Sequence, residues 1–420
     1  MATVQGRTAH TKIAALADHG SSARAVIREL LVHGPMARAE LARRLQLSPA
    51  ALTRVTRDLL ETATIREAAA APGATGGRPG TPLEVNVEQH QMVGAKITAE
   101  GVYAVRTDAL GRVLQGGQRQ LSSTDVPEVA DAIVDLVNEV AESQPVEALG
   151  VGLAGAMSRF DDRARHNLFL GWDDVPLGTM LESACGLPTV ISNDVRALTA
   201  GVHWSGPARG RDDFAVVTTG VGIGLGLVIE GRMVVGPRGR AGMIGHQRVS
   251  GTGPLCVDGH RGCASSFLTT AAITRAVAVA HGDPSMTLAR VCTLADGGDP
   301  AARRTLAEAG HALGAIVADL VNVMDLPSVI LAGDGLPAVI RAQTELEQSL
   351  AERLDRHAAM PELRFLVSDF DEWARGAAVV ACQWVLLEPP WRRSPDAAAR
   401  PRTGRERSWQ RPRSPVAVHS

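Results

Sequence analysis

Apolar residues recur at helical spacing in three short segments near the start of the chain. The first predicted helix begins at Ser21, where apolar residues fall at i, i+1, i+4 and i+5, and it ends before Gly34. A second helix is predicted over residues 38–45. The third is predicted over residues 49–60, because Ser48 followed by proline suits a helix start: serine caps a free backbone N–H and proline fits the first helical position.

Three short helices with a tight second turn indicate a helix-turn-helix, whose third helix enters the major groove of DNA. Residues 64–66 and 83–85 are predicted to pair as short strands around a loop rich in glycine and proline, which makes a wing. An arginine at the tip of this wing suits phosphates or a narrow minor groove. The alternative is a packing module of three helices with a solvated arginine face. The predicted DNA-binding residues are Ser48, Thr53, Arg54, Arg57 and Arg78.

Beyond residue 88 short apolar strands alternate with helices. This alternation predicts an α/β fold, and its repetition predicts two lobes with a cleft between them. The chain is thus divided into a flexible arm (1–20), a winged helix-turn-helix domain (21–88) and a two-lobed domain (89–388). Residues 389–420 are predicted to form a disordered basic tail, because this segment contains eight arginines, only two acidic residues and few apolar residues.

Composition narrows the class of protein. With 420 residues, 45% hydrophobic and 21% charged, the chain is typical of a soluble globular protein with room for two or three domains. It has neither a signal-like N-terminus nor an apolar run of about 18 residues, so we expect a cytoplasmic protein without a membrane partner. Five scattered cysteines make a disulfide framework unexpected. The net charge of −2 means that DNA binding must depend on local charge.

The segment 241–263 concentrates metal-ligating side chains. His246, Cys256, Asp258 and Cys263 lie on or near tight glycine turns. Zinc prefers four tetrahedral ligands drawn from thiolate, imidazole and sometimes carboxylate. The segment therefore predicts a structural zinc site made by these four residues. The alternative is a glycine-rich surface loop with two free thiols.

Several motifs together resemble the ROK family (repressor, open reading frame, kinase), in its transcription-factor branch. They are GGRP in the wing, then HNLFLGWDDVP, ISNDVRA, TTGVGIGLGLVIEGR, AGMIGH and CVDGHRGC. The resemblance implies a two-lobed actin-like (ribonuclease-H-like) ATPase fold. It also implies a homodimer or homotetramer, and a pocket for a sugar or sugar derivative in the cleft.

The resemblance assigns ligand-binding roles to three residues. The family's Asn-Asp pair falls on Asn193 and Asp194, and its sugar- and zinc-binding histidine falls on His246. In the family's kinases the aspartate is the general base on a sugar hydroxyl. The alternative is an Asn-Asp pair that only caps a turn. Two sugar-binding glutamates of the family are replaced by Met243 and Ser265.

The nucleotide and zinc motifs depart from the family pattern. Its D-x-G-G-T loop aligns with residues 96–100, where Lys96 cannot ligate magnesium and Glu100 repels phosphate. The glycines of residues 220–226 suit either a phosphate cradle or, as we favour, a hairpin between core strands. We therefore expect no ATP. In the zinc motif CxCGxxGC, Asp258 replaces the second cysteine.

The sequence leaves three functions open. The favoured one is a transcription regulator, expected to be a repressor of sugar or secondary carbon metabolism, whose degenerate kinase-like domain senses a carbohydrate-like effector. Its partners are then operator DNA and a small molecule. The second is an active sugar kinase fused to a DNA-binding domain, which ATP turnover would reveal. The third is a regulator whose sensor answers to a non-sugar ligand or a protein.

Overall fold

The computed structural model describes residues 20–68, 81–158 and 160–388. The α-helices among these residues are α1 (Ser21–His33), α2 (Arg38–Leu45), α3 (Pro49–Glu61), α4 (Val126–Ala141), α5 (Leu177–Cys185), α6 (Asp194–Ser205), α7 (Ala264–Leu268), α8 (Thr270–His281), α9 (Leu288–Asp296), α10 (Pro300–Met324), α11 (Leu336–Arg341), α12 (Gln343–Arg353) and α13 (Phe370–Leu387). The strands are β1 (Ile65–Glu67), β2 (Leu83–Val85), β3 (Met92–Ile97), β4 (Gly101–Thr107), β5 (Val113–Gln120), β6 (Ala148–Leu153), β7 (Thr189–Asn193), β8 (Phe214–Thr218), β9 (Gly224–Ile229), β10 (Arg232–Met233), β11 (Ser328–Ala332) and β12 (Glu362–Phe365).

Helices α1 to α3 and the hairpin β1–β2 form the predicted N-terminal domain. The Ser48 hydroxyl accepts the N–H of Ala51 at 3.2 Å, so the predicted cap of α3 is present. On the core face of α3, Leu52 and Leu59 are buried, Val55 and Leu60 are half-buried, and Thr56 is buried as well. The polar side chain of Thr56 can be buried because its hydroxyl donates to the carbonyl of Leu52, one turn earlier in the helix, at 2.9 Å.

The wing is described only at its base. Strands β1 and β2 pair antiparallel, and a further bridge joins Met36 to Leu83. The wing tip, with the predicted DNA contact Arg78, lies outside the described residues, as do the N-terminal arm and the basic tail.

The remainder of the chain repeats one architecture twice. The first sheet has the order β5-β4-β3-β6-β7 and the second the order β10-β9-β8-β11-β12. In each sheet three strands pair antiparallel and two more continue in parallel, with helices as the crossovers. The α/β prediction with two lobes is therefore confirmed.

Helix α13 packs against the first sheet with almost no side-chain space between the two. A β-carbon on Gly94 or Gly150 would lie less than 3.0 Å from the backbone oxygen of Ala374 or Ala377, respectively. The far end of α13 shares one hydrophobic core with helix α1, through residues such as Leu386. One helix thus connects the first lobe to the N-terminal domain.

Among the described residues, α10 alone is long and apolar enough to cross a membrane by length and composition. Its most apolar stretch is 61% buried inside the protein, where Leu313 and Ile316 pack in the core of the second lobe. Its apolar character is therefore explained by burial against the second sheet and α12.

Alanine substitution tests the close contact between α13 and β6. Gly150→Ala should lower the free energy of unfolding by about 3 kcal/mol. The added methyl group would overlap the backbone of Ala377, which cannot move aside as a side chain can by changing its rotamer. Gly152→Ala, in the same strand, is the matched control: its β-carbon meets nothing closer than 3.7 Å, so stability should not fall. Urea unfolding followed by circular dichroism measures both. Equal midpoints for the two variants would contradict the assigned packing.

Candidate functional site

Asn193 and Asp194 lie where β7 ends and α6 begins. The Asn193 side-chain oxygen accepts the N–H of Arg196 at 3.1 Å, and its amide donates to the Gly155 carbonyl at 3.2 Å. The capping role that was the alternative interpretation of this pair is therefore present in the fold. It leaves the carboxylate of Asp194, which is 9% exposed, as the group available for other chemistry.

A buried lysine pairs with that carboxylate. The Lys96 ammonium, on β3, donates to the Asp194 carboxylate, and both residues are buried. The same ammonium lies 5.0 Å from the ring centroid of Trp373, a cation–π geometry. The alignment of Lys96 with the family's nucleotide motif did not predict its pairing with Asp194. One signal was available: Lys96 is one of only two lysines in the chain, and it interrupts an apolar strand.

The glycine-rich segment 220–226 includes the turn of a hairpin, as favoured. Strands β8 and β9 pair antiparallel on either side of it. Asp334 directs a carboxylate against Gly220, where a β-carbon would lie less than 3.0 Å from that carboxylate. Loss of solvation raises the pKa of Asp334, although backbone amides and Lys96 oppose that rise. A fixed carboxylate therefore occupies the approach to the glycine turn.

The candidate metal site is built on a short hairpin. Leu255 bridges Arg261, and the Cys256 N–H donates to the His260 carbonyl at 2.9 Å. The hairpin turns through Gly259, whose φ of 79° suits glycine. Cys256 and His260 therefore stand opposite each other across the hairpin.

Four side chains converge at this hairpin. Ligand atoms of His246, Cys256, His260 and Cys263 all lie within 4.8 Å of one another. Nδ1 of His246 is 3.7 Å and 3.8 Å from the two sulfurs and 3.1 Å from Nδ1 of His260. Ideal tetrahedral zinc bonds imply separations of about 3.6 Å for nitrogen to sulfur and about 3.3 Å for nitrogen to nitrogen. The donor set thus fits a tetrahedral metal ion.

The predicted fourth ligand, Asp258, lies outside this group. It occupies the exposed tip of the hairpin, and its carboxylate is 2.9 Å from Nε2 of His246, the ring nitrogen that faces away from the cysteines. His260 takes the place that alignment with the family motif gave to Asp258, because the hairpin turns its side chain, not that of Asp258, toward Cys256. A carboxylate on the outer nitrogen of a ligating histidine orients the ring and fixes its tautomer.

The thiol of Cys263 is buried. Burial, together with the neighbouring Cys256, raises the pKa of Cys263. A divalent cation bound by the cysteines would favour their thiolate forms.

Of the three predicted ligand-binding residues, His246 joins the side-chain cluster at this hairpin from the turn after Gly245, while Asn193 and Asp194 belong to the first lobe. The position of the family's second glutamate is also used structurally: the Ser265 hydroxyl donates to the Gly245 carbonyl at 2.7 Å, which fixes the turn that carries His246.

The exposed face of α3 carries the remaining predicted DNA contacts. Thr53, Arg54 and Arg57 are all exposed. Among the described residues Arg54 has no ion-pair partner, and Arg57 approaches carboxylates only at 3.9 Å. Four other arginines of this domain have close carboxylate partners, in the pairs Arg38–Glu67, Arg43–Glu40, Arg44–Glu40 and Arg66–Glu84. On α3, by contrast, Arg54 is exposed without a carboxylate partner in the described part of the chain.

Residues 93–383 match the ROK family. The chain belongs to the ROK family. It is 22% identical to the xylose repressor of Caldicellulosiruptor bescii, over 68% of this chain and 75% of that protein. It is 24% identical to the DNA-binding transcriptional dual regulator NagC of Escherichia coli, over 68% of this chain and 73% of that protein. The glucokinase of Thermotoga maritima is 31% identical, but over only 39% of this chain and 53% of its own. Its ROK relatives thus include regulators and kinases.

Solved ROK structures share the fold. A ROK family transcriptional regulator, a homolog of the Escherichia coli MLC protein, has a TM-score of 0.76 and 22% identity, over 88% of this chain and 96% of that one. A ROK family glucokinase from Streptomyces griseus, in complex with glucose and AMPPNP, has a TM-score of 0.59 and 27% identity, over 69% of this chain and 98% of that one. The regulator covers more of this chain than the kinase does.

The buried pair Lys96–Asp194 gives a test by double substitution. Lys96→Met should lower the free energy of unfolding by about 3–5 kcal/mol, because it leaves a buried carboxylate without its cation. Adding Asp194→Asn should restore most of that stability, since neither charge then remains. The exposed pair Arg119–Glu139 is the control, and Arg119→Ala should cost less than about 1 kcal/mol. Urea unfolding measures all three, and an unchanged Lys96→Met variant would contradict the assigned pair.

Proposed function

We propose that this protein is a DNA-binding transcriptional repressor whose ROK domain senses a small carbohydrate-like effector. The observation that carries the proposal is the exposed α3 helix, with Arg54 free of carboxylate partners in the described part of the chain, in a domain that packs directly on helix α13 of the ROK fold. Relatives named as xylose repressor and N-acetylglucosamine repressor support it. A recognition helix has no role in a free-standing kinase.

We infer that the cleft does not transfer phosphate. Phosphoryl transfer depends on a metal-bound nucleotide held by backbone amides and on a carboxylate free to accept a proton. Here Lys96 neutralises Asp194, and the Asp334 carboxylate lies against the glycine turn at Gly220. Both features put a protein charge where the reaction needs a phosphate or a metal. They favour a sensor over the kinase alternative.

The effector site is proposed at Asn193 and Asp194. His246 is left out of it, because one ring nitrogen faces the cysteines of the metal cluster and the other pairs with Asp258. Asn193 is held by its own capping bonds and Asp194 by Lys96, so both present fixed polar atoms to a ligand hydroxyl. A carboxylate held in place by a lysine is a strong hydrogen-bond acceptor. This arrangement suits recognition of a polyol without turnover.

A direct mechanical link joins that cleft to the DNA-binding domain. The first turns of α13 carry Trp373, beside Lys96, while its last turns pack with α1. In addition, the guanidinium of Arg209 donates to the carbonyls of Leu31 and Val32 at the end of α1, at 3.2 Å and 3.0 Å. We propose that effector binding alters the position of the DNA-binding domain through these two contacts.

We further propose that the hairpin holds one structural zinc ion through His246, Cys256, His260 and Cys263. Asp258 then acts on the outer nitrogen of His246 rather than on the metal. When bound, the ion would lock the loop that carries His246 beside the cleft. The two thiolates and two imidazoles form one of the ligand sets that structural zinc sites use.

Operator binding tests the main proposal. Arg54→Ala and Arg57→Ala should each weaken binding by about 1–3 kcal/mol for every base edge that the arginine reads, with the larger effect at Arg54 because it has no competing carboxylate. We expect a symmetric dimer on half-sites one or more helical turns apart. The measurement is a titration of DNA that the parent protein selects from a random pool. Arg43→Ala, whose guanidinium is 2.6 Å from Glu40, is the control and should bind nearly as the parent does. If a variant carrying both Arg54→Ala and Arg57→Ala bound DNA as tightly as the parent, α3 would not be the recognition helix.

Metal analysis tests the ligand set. Protein purified without chelator should contain about one zinc per chain, and His260→Ala should lose it. Asp258→Asn should keep the metal with affinity lowered by roughly 10–100-fold, as expected of a group that acts through a ligand. If Asp258→Asn lost the metal while His260→Ala kept it, Asp258 and not His260 would be the fourth ligand.

A further inference from the structure

A cavity of about 350 Å³ lies next to the start of helix α13. Strands β4 and β5 form one wall, and the loop after β11 and the loop leading into α13 form the others. It is separate from the metal hairpin. Side chains of two kinds dominate its lining, aromatic and acidic: Tyr103, Phe370, Trp373, Asp334, Asp369 and Asp371.

The aromatic lining is unusual for this chain. Only 3% of the residues are aromatic, and Tyr103 is the sole tyrosine, yet three aromatic rings meet at this one cavity. Tyr103 and Phe370 are in contact, with ring centroids 4.5 Å apart. Aromatic faces carry negative electrostatic potential, so they attract cations and give nothing to anions.

The carboxylates around the cavity lack compensating cations. Among the described residues no cation pairs with Asp371, and burial together with its acidic neighbours Asp369 and Glu372 raises the pKa of Asp371. Glu372 itself is engaged by Arg375 at 2.8 Å. The nearest ammonium, Lys96, is already bound to Asp194, which leaves Asp334 without a cation of its own in the described part of the chain. The cavity therefore carries surplus negative charge.

We propose that this cavity binds a small organic ammonium cation. The Trp373 ring already has the Lys96 ammonium 5.0 Å from its centroid, whereas Tyr103 and Phe370 have no such cation among the described residues, so these two rings are the aromatic contacts offered to the ligand. Ser368 also lines the cavity, and its hydroxyl, which is shielded from solvent, has no hydrogen-bond partner among the residues described. A neutral sugar would leave the carboxylates uncompensated, and an anion would be repelled. The site goes beyond the proposed sensing of a polyol at Asn193 and Asp194 and does not depend on it.

Choline and its uncharged isostere 3,3-dimethylbutan-1-ol test the proposal on the full chain. The two molecules have the same shape, so only charge separates them. Calorimetric titration should show saturable choline binding, with the alcohol at least about tenfold weaker, because cation–π and ionic attraction disappear with the charge. Quenching of tryptophan fluorescence gives an independent readout near Trp373.

Two variants locate the binding. Asp371→Asn and Tyr103→Leu should each weaken choline by about tenfold, and Asp131→Asn, an exposed acid on α4, should leave it unchanged. Thermal melts check that each variant is folded. If only one of the two variants folds, that variant alone is enough to locate the binding site. Equal affinity for choline and the alcohol, no saturable choline binding, or choline binding insensitive to both folded variants would overturn the proposal. None of these readouts uses DNA, so failure of the regulator proposal is distinguishable from failure of this one.

Discussion

The close contact between helix α13 and the backbone beneath it is the constraint on which the rest of this structure depends. Glycines at 94 and 150 on the sheet, and Gly376 on the helix facing α6, remove the β-carbons that would hold these elements apart. Small residues then allow α13 to touch the first sheet, α6 and α1 at once. The cleft, the aromatic cavity and the DNA-binding domain are therefore positioned by one element that is closely packed on the first sheet and on α6.

Local patterns predicted most of the fold, and long-range geometry explains what they missed. The helices of the N-terminal domain follow from spacing and from the Ser48 cap, which are properties of neighbouring residues. The pair Lys96–Asp194 joins positions 98 apart, and it forms only because β3 and α6 meet at the same edge of the sheet. No local pattern encodes that meeting. What the sequence did offer was a solitary lysine in an apolar strand.

The metal hairpin shows what alignment along the chain leaves out. Alignment compares positions along the chain and gave Asp258 the role of the missing cysteine. A hairpin brings together residues across its turn, and this one sets His260 opposite Cys256, which is why His260 is the ligand proposed above. The arginines of the N-terminal domain differ for the same reason: Arg38, Arg43, Arg44 and Arg66 have carboxylate partners in the fold, whereas Arg54 has none among the described residues.

The pair Lys96–Asp194 also limits which single substitutions this chain can accept. If the domain senses and does not phosphorylate, as proposed above, kinase chemistry would need an acid in place of Lys96. That single change would set two buried carboxylates against each other with no cation between them. Changing Asp194 first would leave the lysine buried and alone. Either single substitution would destabilise the protein, so the buried pair would oppose a stepwise change from sensor to kinase.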